Sequence, residues 1–138
     1  PANQFVAGFI GSPGINFLKG VIDEQNGELF FANSEIRLHI PKEKSGRLKR
    51  KGYIRKEAVL GIRPEHIKEG QPDGTGFQAK VELSENMGPE QFLHAAIGEA
   101  QFVARLDGER SLAPGEVICL SVSMEHAVFF DPETEASI

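Results

Sequence analysis

The chain has 138 residues, 40% of them hydrophobic and 25% charged, with a net charge of −5, enough for one buried core in an ordinary globular protein. Its single cysteine, Cys119, excludes an internal disulfide framework and a multi-cysteine metal site, and fits a reducing compartment. No apolar run approaches the ~20 residues that a membrane helix needs.

In chain order, NQFVAGFIG at 3–11 predicts a short helix: Asn3 caps it, Phe5, Val6, Phe9 and Ile10 share a face, and Gly11 and Pro13 stop it. The sequence starts at PANQFVAGFIG without an initiator Met, which reads as the middle of a longer polypeptide. Residues 1–18 also lack the charged n-region of a secretory signal.

The period then switches to two. INFLKGVIDEQNGELFFA carries an Asn26-Gly27 hairpin signal between apolar runs. EIRLHI sets Ile36, Leu38 and Ile40 against Arg37 and His39. FQAKVELSE sets Phe77, Ala79, Val81 and Leu83 inward. QFLHAAI, QFVARL, EVICLSVS and HAVFF predict four more strands, most of them separated by Gly or Pro turns. Short strands at this spacing, with no βαβ rhythm, predict an all-β fold of small barrels behind one short helix. Residues 41–56 and 68–76, rich in charge, Gly and Pro, read as exposed loops, and no repeat of one half in the other is visible.

Residues 42–56, KEKSGRLKRKGYIRK, hold eight basic residues and one acidic one, so their local charge is +7 and the rest of the chain sums to −12. Arg47, Lys49, Arg50, Lys51, Arg55 and Lys56 form a candidate interaction patch. Tyr53 is the one ring beside them, and the rest of the chain is acidic, which disfavours nucleic acid as the partner. An acidic protein surface or phospholipid head groups remain open.

VLGIRPEHI at 59–67 is a buried strand that ends in Arg63, Pro64, Glu65 and His66. Pro64 ends the ladder and opens a turn, while adjacent strand residues face opposite ways, so Glu65 and His66 are poorly placed for proton relay. The expected role is a joint at which Arg63 and Glu65 make side-chain contacts. His39, His66, His94 and His126 lack zinc spacing, Cys119 reads as a small buried side chain, and no G-x-S-x-G elbow or phosphate-binding P-loop occurs. No catalytic, nucleotide-binding or metal residue is expected in this chain.

Three segments in order, PANQFVAGFIGSPGINFL, VLGIRPEHI and the run from Val81 to Ile138, resemble one family. It is the C-terminal region of sugar-importing ABC transporter ATPases of the maltose and multiple-sugar type, the TOBE (transport-associated OB) domain. Residues 61–66, among them Gly61, Arg63, Pro64, Glu65 and His66, match its junction motif. Gly88 and Glu90 match a G-x-E turn, and Phe130, Asp131, Glu133 and Thr134 match a closing F-D-x-x-T-G. Glu135 stands where the family has Gly, and Pro89 stiffens the other turn; the resemblance carries nothing over to the basic segment.

The resemblance implies a linker helix over 1–14 from a nucleotide-binding domain outside the chain, then a regulatory OB-type barrel domain over 15–138 with sub-barrels 15–67 and 76–138. It implies a non-enzymatic regulatory and dimerisation domain, on a cytoplasmic subunit at the inner face of the membrane. ATP and magnesium would belong to the domain outside the chain. Implied partners are a second copy, that nucleotide-binding domain, the transporter's membrane subunits and a regulatory protein. Related barrels that hold molybdate or tungstate make oxyanion binding the alternative, with nucleic-acid binding through 42–56 a third reading.

Overall fold

A computed structural model describes residues 14–70 and 76–138; the helix expected over 3–10 lies outside them. The first half runs β1 (Asn16–Gln25), β2 (Glu28–Ala32), β3 (Arg37–His39), helix α1 (Lys42–Arg50) and β4 (Glu57–Ile62), then a 3-10 turn (Pro64–His66) and β5 (Ile67–Glu69). The second half runs β6 (Gly76–Asn86), β7 (Glu90–Ile97), β8 (Ala100–Asp107) and β9 (Val117–Val122), then a 3-10 turn (Met124–His126) and β10 (Val128–Phe130). The fold is mostly β, as the strand periods predict. The β1–β2 hairpin turns at Asn26 and Gly27, whose positive φ values of 53° and 82° suit a two-residue primed turn.

The strands form two antiparallel five-stranded sheets, ordered β10-β4-β1-β2-β3 and β5-β9-β6-β7-β8. Replacing each strand of the first half by the strand five places later turns the first order into the second. The molecule is therefore two copies of one plan that have exchanged their last strands. β5 leaves β4 to pair with β9, and β10 leaves β9 to pair with β4. This corrects the sequence reading, which saw no repeat. Between the two junctions, IRPEHI and VSMEHA, only Glu-His is shared, so the duplication is carried by topology rather than by side chains.

One continuous core spans both sheets, with Ile22, Leu38 and Leu60 from the first packed in the same cluster as Val81, Leu93 and Leu120 from the second. Each such side chain contributes roughly 1.5–3 kcal/mol on burial. A smaller cluster of Val59 and Phe130, flanked by Ile15, Phe17 and Val128, lies apart from it.

Four local expectations need correction. Residues 42–50 are helical, not a loop: Leu48, 1% exposed, and Ser45 bury one face of α1. One apolar residue in nine leaves no helical period to read, yet a single buried leucine suffices to pin two turns against the barrel. Lys68 and Glu69, also expected in a loop, form β5. Leu83 is 52% exposed rather than inward, because a bulge between Val81 and Leu83 shifts the alternation by one and leaves Ser84 half-buried in its place. Cys119 is half-buried on β9 rather than fully buried.

Candidate functional site

The strand-exchange junction assembles two of the sequence motifs. Pro64 is buried at the first position of its 3-10 turn, and the turn closes through the His66 N–H donating to the Arg63 carbonyl at 3.0 Å. The equivalent turn at Met124–His126 follows β9, and the Ser123 N–H donates to the His66 carbonyl at 2.9 Å. His66 and His126, at matching positions of the two repeats, stack with ring centroids 3.9 Å apart and planes within 2°. Burial lowers the His66 pKa below its ordinary value, and the neighbouring His126, Arg63 and Lys68 act in the same direction against Glu65.

Neither Arg63 nor Glu65 makes an ion pair or side-chain hydrogen bond with a described residue, although both are half-buried. The polar ties across the junction come from other groups. Asn16 of β1, a buried polar residue the sequence reading passed over, donates through Nδ2 to the carbonyls of Ile62 (3.1 Å) and Val103 (2.8 Å). Its Oδ1 accepts the Val103 N–H at 2.7 Å. One amide thus ties β4 of the first sheet to β8 of the second.

Gly61 and Phe130, from separate motifs, meet. A Cβ on Gly61 would lie 2.9 Å from the Phe130 ring, so only glycine lets β10 lie against β4 here. Phe130 is fully buried, with the Phe17 ring edge-on at 6.0 Å. Its neighbour Asp131 caps the closing turn: Oδ1 accepts the N–H groups of Glu133 (2.8 Å) and Thr134 (3.0 Å), and Oδ2 accepts the Tyr53 hydroxyl at 2.6 Å. The Tyr53 hydrogen bond and the two amides hold the Asp131 pKa below its ordinary value. Glu135, where the family has Gly, sits at φ 61°. The turn keeps its left-handed residue and accepts the strain of a side chain there, about 1–2 kcal/mol.

At the other turn Gly88 has φ 94°, and Glu90 pairs with Arg105 at 2.9 Å. Both are structural roles at a hairpin tip. The basic patch borders the closing turn: Arg47, Lys49, Arg50, Lys51, Arg55 and Lys56 are all exposed on α1 and the turn after it, and Lys56 lines a pocket with Asp131 and Glu133. Lys49 Nζ donates to the Gly27 carbonyl at 2.6 Å. Among the described residues no three His, Cys, Asp or Glu side chains gather as a metal-binding set.

Comparison with known proteins agrees with this geometry. Residues 11–67 match the model of the MalK OB fold domain, and residues 60–130 match that of the TOBE domain, the two overlapping at the junction. The whole chain is 54% identical to 39% of the uncharacterized ABC transporter ATP-binding protein YurJ of Bacillus subtilis. It is 38% identical to 37% of the multiple sugar-binding transport ATP-binding protein MsmK of Streptococcus mutans. It is 35% identical to 38% of the oligosaccharides import ATP-binding protein MsmX of Bacillus subtilis. The chain thus spans less than two-fifths of the length of these relatives. Among solved structures, the cytoplasmic molybdate-binding protein ModG superposes with a TM-score of 0.64 at 14% identity, over 85% of this chain and 96% of that one; this shows a shared fold. The matched segments are OB-fold and TOBE domains and not an ATPase domain, so no nucleotide chemistry is assigned to these residues. The chain belongs to the TOBE domain family, as found in ABC transporter ATP-binding proteins.

Proposed function

We propose that this chain is the regulatory and dimerisation part of the ATP-binding subunit of a carbohydrate ABC importer. The observation that carries the reading is that its two matched domains run in series and align end to end with relatives named for sugar import. In this reading ATP and magnesium act in a separate ATPase domain, and the subunit works on the cytoplasmic side of a membrane, bound to the transporter's membrane subunits. No helix among the described residues is long and apolar enough to cross a membrane. The interlocked sheets suit the role, since a body with one shared core transmits a docking event as a unit.

The test replaces the matching segment of Bacillus subtilis MsmX with this chain, in cells lacking the native protein. Oligosaccharide import comparable to the native subunit supports the reading. A chimaera that accumulates and hydrolyses ATP but sustains no import contradicts it.

A further inference from the structure

The two repeats match strand for strand, and the helix is what breaks the match. Between β3 and β4 the chain builds α1; the equivalent connection from β8 to β9 has no helix. That insertion carries eight of the chain's fifteen basic residues. Residues 14–70 hold twelve basic and eight acidic residues, whereas 76–138 hold three and eleven. One end of the duplicated body is therefore positive and the rest negative.

The patch is held in place. Leu48 is buried under α1, the Arg55 N–H donates to the Ile22 carbonyl at 2.6 Å, and the Ile22 N–H donates to the Lys56 carbonyl at 3.0 Å. Arg55 adopts φ 65° to make this connection. Yet Arg47, Arg50, Lys51 and Lys56 have no carboxylate within ion-pair distance among the described residues. Because the backbone that carries these cations is held, binding an anion-rich partner has less of the chain to order. Beside it a groove of about 190 Å³ runs between α1 and the C-terminal strand, with Lys44 and Arg47 among its lining and Leu48, Val128, Phe129 and Ile138 as its apolar surface. That is below the roughly 300–1,000 Å³ of small-molecule pockets and suits a single apolar side chain.

We propose that α1 and the turn after it are a docking face for an acidic protein surface that seats one apolar side chain in this groove. An extended polyanion fits less well. A membrane sheet or a long nucleic acid that overran the patch would also meet Glu57, Asp131 and Glu133 beside Lys56, and Tyr53 is committed to Asp131 and the core rather than to stacking on bases. The proposal stands on charge and shape, apart from the transporter reading.

The test is fluorescence anisotropy on the 138-residue chain with a labelled peptide of alternating Glu and Ser around one central Phe. Comparison probes are the same peptide with Ser for Phe, a single-stranded oligonucleotide of equal charge, and vesicles of phosphatidylglycerol and phosphatidylcholine. The Phe peptide is expected to bind, about tenfold more weakly to the combined Arg47→Glu, Arg50→Glu, Lys51→Glu, Lys56→Glu variant, whose thermal midpoint is unchanged. Losing the Phe, or the Ile138→Ser substitution, weakens binding several-fold. Should the reversal variant lose its thermal transition, the four Gln substitutions give the same readout. No binding, binding indifferent to the charge changes, or equal affinity for oligonucleotide or vesicles overturns the proposal. So does self-association in sedimentation that the reversal abolishes, which would make a second copy the occupant.

Discussion

The first repeat and the second share a strand plan and differ in what connects it. The first devotes residues 40–56 to a basic helix and a strained turn between its third and fourth strands; the second makes the same link with 108–116 and no helix. The second repeat instead has longer equivalents of β2 and β3 and an acidic surface. Exchanging the last strands makes either repeat incomplete without the other, so the fold is common property while the surfaces are free to diverge. Scaffold and recognition have been separated: the symmetric parts hold the body together, and the asymmetric part is where a partner is expected.

The comparison breaks most severely at the exchanged strand. Phe130→Ala empties a fully buried site beside Gly61, and chemical denaturation should show a loss of about 3–5 kcal/mol. A loss under 1 kcal/mol would mean that β10 is not holding the first sheet. Next comes the bridge between sheets. Asn16→Ala strands the Ile62 and Val103 carbonyls and the Val103 N–H, and should cost about 1–3 kcal/mol; an unchanged midpoint would show that the amide is incidental. Glu135→Gly works in the opposite direction, since it relieves a side chain held at a positive φ of 61°. A gain of about 1 kcal/mol is expected, and destabilisation would contradict the strain argument.

The smallest effect is on pH dependence. The folded protein holds His66 below its ordinary pKa, chiefly through burial and then through His126, with Arg63 and Lys68 lowering and Glu65 raising it. Glu125 approaches His126 at 3.9 Å. The neutral ring is favoured by folding, so its contribution is complete above the ordinary value of about 6.5 and is lost as pH falls through the lowered one. The difference in thermal midpoint between the native chain and a His66→Gln variant should therefore be larger at pH 7.5 than at pH 5. Parallel pH profiles would remove the stacked pair from the junction's energetics.

Much of this organisation was legible in the residues. Alternation placed Ile36, Leu38 and Ile40 inside, Asn26-Gly27 marked its hairpin, and Pro64 marked the end of β4, because those signals are local and steric. The duplication was not legible, since partners such as Leu60 and Phe129 are paired by topology across distant sequence. Leu83 was misplaced because a bulge leaves no mark in the alternation before it. The basic segment was read correctly as an exposed charged surface and wrongly as a loop, because the one residue that makes it a helix is Leu48. Within the junction, Arg63 and Glu65 attracted attention by their charge, while Asn16, an ordinary polar residue in an apolar strand, ties the two sheets together.

The central claim is that two repeats with exchanged strands behave as one cooperative body. Native-state hydrogen exchange tests it most directly at the amides of Leu60 in β4 and Leu120 in β9, each on the strand, second from its sheet's edge, that receives the other repeat's last strand. The account predicts one opening free energy and one urea dependence for both amides, shared with global unfolding. Two distinct free energies, one sheet opening while the other remains protected, would contradict it.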